Sequence, residues 1–350
     1  MKTRLFQLFA ILISIISINI LLPKPPKKNY HVVYNHGFGQ SAESAERSAE
    51  YYSSLLGNSY SAPVYPDAPG NLSKGVFYTK PAVHTLANHL LNKVNEGKDA
   101  IILVDFSMGG RISTNCLVPL INQDLSYFEG SSIKTKEDVD RIIAAINNGA
   151  RIQSAPCYSL RQTKTIQSAS NFFTTATVAA GTGLVYWLGT NALSDTLSPR
   201  SQKIGWLGIG AGTYATLGTS LKNIYASAII RFILPQLTNG HFDPNHPEPI
   251  DQVEHLRGKL TCPTLLHFHK EDGILNNPNE DTIKIYDALK NDKTHIIITD
   301  DAWHNSGSQQ FKAELIAFGN RYLDLNGEHK AQKNTQPTVE ELRKEIFSIA

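Results

Sequence analysis

A serine hydroxyl is a weak nucleophile until an imidazole takes its proton and a carboxylate holds that imidazole in place. The stretch AIILVDFSMGGRIS, Ala100 to Ser113, offers such a hydroxyl: an aliphatic run stops at Asp105, Ser107 follows, and Gly109 and Gly110 come next. Glycines there suit a strand that turns sharply into a helix, because backbones can approach closely without Cβ atoms between them. Upstream, NHGFG (Asn35 to Gly39) follows another apolar run, and its glycines leave backbone N–H groups open to a negative oxygen. Downstream, Asp272 in CPTLLHFHKEDGILNNP and His304 in THIIITDDAWHNSGS each sit just past an apolar run. Glu271 is adjacent, but the spacing to Gly273-Ile274-Leu275 favours Asp272; His295 opens its run and points elsewhere. Taken singly, an Asp after a strand is a turn or cap residue, and a loop His is simply solvated.

The elements that must position these groups alternate. His31 to Asn35 reads as a strand and Ser41 to Leu56 as a helix; Pro81 to Gly97 is a second helix with proline in its first turn. Asp99 to Phe106 is apolar nearly throughout, as befits a central strand covered on both faces. A helix from Met108, another ending at Gly149, a strand at Ala150 to Pro156, strands at Thr264 to His269 and Thr294 to Thr299, and a joining helix at Asn279 to Lys290 complete the set. The predicted class is α/β, a mostly parallel central sheet with helices on both faces.

Strand, sharp turn and helix with a serine at the corner resemble the nucleophile elbow GxSxG of the α/β-hydrolase fold. Ser107-Met108-Gly109-Gly110 fits the second half, whereas Asp105 occupies the first small position. An acid there must find room against the elbow helix and would place negative charge near an incipient oxyanion. The resemblance implies that His36 and Gly37 belong to an oxyanion loop, with the amides of Phe38 and Met108 as donors. It also implies the chain order Ser107, Asp272, His304, with His304 as base and Asp272 orienting the imidazole and stabilising its cation. It covers roughly Tyr30 to Leu325 apart from an insert, which in the family's order follows the sixth strand, where a lid is commonly carried.

The implied activity is that of a serine hydrolase cleaving a carboxylic ester, with an apolar or lipidic acyl group, through an acyl-enzyme. The same triad would serve a peptidase or a thioesterase, and a rival is a catalytically silent fold acting as a membrane-associated binding protein. The expected layout is 1–28 as signal-anchor or signal peptide, 29–156 and 236–325 as the two parts of the core, 157–235 as an inserted helical lid, and 326–350 as a polar tail adding little to the core.

In the insert, Asn171 to Leu193 and Ile204 to Leu221 are uncharged and rich in Gly, Ala and Thr, which suits a pair of buried helices in a lid or a bilayer-dipping hairpin. At the N-terminus, Leu5 to Leu22 form an apolar run flanked by Lys2, Arg4 and PKPPKK. Eighteen helical residues reach roughly 27 Å, about the thickness of a thin bilayer. The absence of small residues near a cleavage point favours an uncleaved anchor over a cleaved signal, so the protein is expected to be membrane-anchored or exported, and the flanking charges leave its orientation undecided.

With 350 residues, 41% of them hydrophobic, and a net charge of +2 spread along the chain, the sequence can bury a large core and carries no footprint for nucleic acid. Cys116, Cys157 and Cys262 are too scattered for a disulfide framework or a zinc site, and the histidines of NGHFDPNHPEP lack helical metal-site spacing. No metal or cofactor is expected.

Overall fold

The structure is a computed structural model and describes residues 29–66, 79–193, 199–237, 243, 245–275, 278–300, 304, 308–323 and 336–347. The N-terminal apolar run, residues 5–22, lies outside the described residues.

Six strands form one sheet: β1 (His31–Asn35), β2 (Ser59–Ser61), β3 (Ile101–Phe106), β4 (Ala150–Ser154), β5 (Thr264–His269) and β6 (Thr294–Thr299). Their order is β2-β1-β3-β4-β5-β6, and every pairing is parallel. Side chains alternate between faces along each strand. Val33, Leu103 and Leu266 point into one apolar layer, while Val32, Val104 and Leu265 point into the other. That double burial is why β3 and β5 read as largely apolar runs, while β4 buries Arg151 and Gln153 among its five residues. β2 has no such signature. It is a three-residue polar segment, held by the His31 ring, whose two nitrogens lie 2.8 Å from the hydroxyls of Ser59 and Ser61.

Helices α1 (Ala42–Leu56), α2 (Thr79–Asn95), α3 (Met108–Ile121) and α4 (Lys136–Asn148) follow the predicted periods. Ser41 caps α1 by accepting from the Ser44 amide, and Thr135 and Asp138 form a capping box on α4. α2 begins two residues before Pro81, which is tolerated because the first turn has no internal acceptors to lose.

The insert is a helical hairpin of α5 (Lys164–Leu193) and α6 (Pro199–Ala228), continued by a π-helical turn over Ile229–Ile233. Phe173 of α5 meets Tyr225 of α6 with ring centroids 5.7 Å apart, and the hydroxyls of Thr177 and Tyr225 are hydrogen-bonded, so the first half of α5 packs on the end of α6, as in an antiparallel pair. The expectation of a buried pair does not hold for the described part: Phe172, Leu184, Leu217 and Ile224 are exposed. Among the hairpin's described residues, those in the core layer, Ile166, Ala226, Ile229 and Ile230, lie at its root. Among the described residues no helix is long and apolar enough to cross a membrane.

Past β5 come α7 (Glu280–Leu289), capped by Asn279, then α8 (Gln309–Tyr322) and α9 (Val339–Phe347). α8 places Phe311, Leu315 and Phe318 in the same layer as α1. The tail corrects expectation. Leu342 and Ile346 of α9 are buried in the layer that contains α7, and the Tyr286 hydroxyl donates to the Pro337 carbonyl at 2.8 Å.

Candidate active site

Ser107 stands between the end of β3 and the first residue of α3 with φ +51°, a left-handed conformation that a non-glycine residue adopts only when its surroundings enforce it. Three backbone hydrogen bonds do so: its N–H donates to Ser154 at 3.1 Å, and its carbonyl accepts from Gly110 at 3.0 Å and Cys157 at 2.9 Å. Gly109 is required by close approach, since a Cβ there would lie 2.0 Å from the carbonyl oxygen of Asn35.

Residues far apart in the chain converge on this corner. His304 Nε2 lies 2.7 Å from Ser107 Oγ, and His304 Nδ1 lies 2.7 Å from Asp272 Oδ2. Asp272 Oδ1 accepts from the amides of Ile274 at 2.7 Å and Leu275 at 2.8 Å, which fixes the carboxylate plane. Burial would raise the Asp272 carboxyl, but the hydrogen bond and charge of His304 and the two amides hold it below the ordinary carboxylate value. Asp272 is buried, and the Phe106 ring packs 5.3 Å from the imidazole.

The loop after β1 closes against the serine. A Cβ on Gly37 would meet the Phe106 ring at 2.9 Å and Ser107 Cβ at 3.0 Å, so only glycine lets the loop come this near. The Gly37 N–H is taken by Gln40 Oε1 at 3.0 Å, which also accepts from the Tyr34 hydroxyl at 3.2 Å. His36 is buried: its Nδ1 lies 2.9 Å from the Gly37 carbonyl and its ring packs edge-on against Tyr65. His36 and Gly37 thus shape the loop from beneath, leaving the next residue, Phe38, beside the serine. Met108 opens α3, where a backbone N–H has no acceptor within its own helix. Gln40 was not singled out from sequence. Its place directly after NHGFG is the signal that was available.

A cavity of about 290 Å³ opens onto Ser107 and His304, walled mainly by Phe38, Phe106, Met108, Leu160, Ile166 and Leu234. Thr163 and Thr165 add two hydroxyls. Several of these residues belong to the hairpin root, which is tied to the acid loop: Lys164 N–H donates to the Ile274 carbonyl at 2.8 Å, and Thr163 bridges Leu275 antiparallel. A larger cavity of about 480 Å³ is lined by charged and polar groups such as Arg161, Lys222, Glu248 and Asp281, and contains none of Ser107, Asp272 or His304.

Asp105 does not put free charge beside the serine. Its side chain is fully buried beneath the elbow and accepts from Ser113 Oγ at 2.5 Å, Gln153 Nε2 at 3.2 Å, Arg151 Nε at 3.3 Å and Asn35 Nδ2 at 3.4 Å. Burial raises this carboxyl above its ordinary value, and the Arg151 guanidinium and the neutral donors offset only part of that rise. The parallel register places Asn35 and Gln153 on either side of Asp105, so amides from both neighbouring strands hydrogen-bond the acid while Arg151 of β4 supplies the opposite charge. Asn35 Nδ2 also donates to the Gly109 carbonyl at 2.6 Å, joining the loop strand to the elbow helix.

No family profile matches the sequence, and no curated protein matches it. Among solved structures the chain is similar to an esterase of Pyrococcus furiosus (10% identity, 85% of this chain and 84% of that one, TM-score 0.41). It is also similar to a thermophilic esterase of the planctomycete Thermogutta terrifontis (14% identity, 90% and 87%, TM-score 0.43). A third likeness is to a monoacylglycerol lipase of Paleococcus ferrophilus (13% identity, 84% and 95%, TM-score 0.41). The site itself is read from its own geometry. An all-parallel sheet clad on both faces, a serine at a strained strand-to-helix corner, and partners following in the order serine, aspartate, histidine give this chain the α/β-hydrolase fold.

Proposed function

We propose that the protein is a serine hydrolase that cleaves carboxylic esters of apolar acyl groups through an acyl-Ser107 intermediate. The observation that carries this is the relay from Ser107 Oγ through His304 to Asp272, with 2.7 Å at each step. Ser107 Oγ attacks the acyl carbon as its proton passes to His304 Nε2, and Asp272 stabilises the imidazolium formed. The oxyanion sits toward the backbone amides of Phe38 and Met108. His304 then protonates the departing alkoxide, the acyl group remains on Ser107, and a water deprotonated by the same imidazole releases the acid.

The cavity supports the substrate class. With about 290 Å³ of mostly apolar space and roughly 30 Å³ per water-sized group, it holds about ten non-hydrogen atoms, the size of a medium-length acyl chain. Each buried methylene favours binding by about 0.8 kcal/mol. The kcat/KM for p-nitrophenyl esters is therefore expected to rise about fourfold per carbon, roughly tenfold or more per two carbons, up to about eight or ten and then level or fall. The activity should vanish in Ser107→Ala. A response flat from acetate to decanoate overturns the apolar acyl site, and activity surviving in Ser107→Ala overturns the nucleophile. In this reading the N-terminal run of residues 5–22 tethers the enzyme to a membrane, and removing it would shift the protein from the membrane to the soluble fraction.

A further inference from the structure

The apolar side chains left in solvent are concentrated on the hairpin. Of fourteen large hydrophobic residues exposed among the described residues, eight lie between Phe172 and Ile233. Phe172 is 68%, Phe232 65% and Ile224 60% exposed, where a helix packed on its own domain would have buried them. They are not scattered. Leu217 and Ile224 are seven residues apart, hence on one face of α6, while neighbouring Tyr225 faces α5. Ile224 and Phe232 line a single concavity together with Arg231.

The charge on the same segment has one sign. From Lys164 to Ile233 the sequence holds Lys164, Arg200, Lys203, Lys222 and Arg231 against the single acid Asp195. That is a net +4 in a chain of net +2, which leaves −2 for everything else. Arg231 lies 5.9 Å from the centroid of the Phe232 ring, so this cation is interleaved with the apolar groups, whereas Lys222, 5.5 Å from the centroid of Tyr214, lines the polar cavity. An exposed apolar face interspersed with cations is complementary to a lipid surface bearing anionic headgroups. Pairing with a second hairpin would oppose +4 to +4, and no described helix is long and apolar enough to cross the membrane.

We propose that the α5–α6 hairpin docks in the plane of an anionic lipid surface, with the face of Leu217, Ile224 and Phe232 entering the headgroup region and Arg231 reaching phosphates. The inference stands apart from the ester-hydrolase proposal, because it concerns where the chain sits and not what it cleaves.

The test uses the full chain, with an environment-sensitive fluorophore on Leu217→Cys. Cys116, Cys157 and Cys262 are buried, so the new thiol is the one labelled. Vesicles of phosphatidylcholine alone are compared with vesicles containing roughly one-third phosphatidylglycerol. The expected result is a blue shift with the anionic vesicles that largely disappears in high salt. Arg231→Glu should weaken the vesicle affinity of that shift by about tenfold or more. A second label at Val64→Cys, on the sheet-bearing body, should not move. The proposal is overturned if the 217 label stays unshifted while the chain binds vesicles, since the N-terminal run then does the binding. Equal shifts at 64 and 217, or a vesicle-free shift that grows with protein concentration, overturn it too, the latter pointing to self-association.

Discussion

Ser107 is held at a φ of +51°, a conformation that costs a non-glycine residue on the order of 1–3 kcal/mol and persists because Ser154, Gly110 and Cys157 pin its backbone. That arrangement tolerates no bulk at the next turn. Gly109→Ala would set a methyl 2.0 Å from the Asn35 carbonyl, so the variant should lose both folded yield and activity, by more than about 3 kcal/mol in a urea titration. Beneath the elbow, Arg151→Met would strand the Asp105 carboxylate in a fully buried place and should cost about 3–5 kcal/mol by the same assay. Ser107, Asp272 and His304 were legible because each ends or follows an apolar run in a fixed chain order. Asp105 was legible only as an oddity. Its neutralising partner Arg151 lies 46 residues away and is brought near only by strand register, which residue types alone do not reveal.

The strands with apolar runs, β1, β3, β5 and β6, were legible because burial writes itself into composition, whereas β4 carries Arg151 and Gln153 and was read as a strand from its place after the helix ending at Gly149. β2 was not, because its three residues are stabilised by side-chain bonds to His31 instead of by apolar burial. That edge makes a pH prediction. His31 and His89 share the Ser61 hydroxyl, and both have pKa values lowered to about 4, by burial first and then by nearby lysine charge. The folded state binds their protons less readily than the unfolded chain does. Their stabilisation is therefore complete above the ordinary value of 6.5 and is lost as pH falls from there toward 4. Between pH 7 and 5 the melting temperature should drop by several degrees, on the order of 2 kcal/mol, and by less in His89→Gln. Asp272 is shifted in the same direction but from a lower ordinary value, so its stabilisation persists through that window and is lost only as pH falls below about 3.8. The hairpin's helical character was legible, but not its exposure. Gly, Ala and Thr pack as readily against a partner surface as within a core.

Across the molecule, the three groups that would do chemistry come from the C-terminal ends of β3, β5 and β6, and parallel strands bring those ends to one rim. The two apolar layers fix the sheet, the sheet fixes the rim, and the hairpin root completes the cavity beside the serine. The most direct test of this convergence is reaction of the full chain with a fluorophosphonate, followed by mass-spectrometric location of the adduct. A single adduct on Ser107 is predicted, formed at least about a thousandfold more slowly in His304→Ala. An adduct on another residue, or no adduct on a folded wild-type chain, would contradict the account.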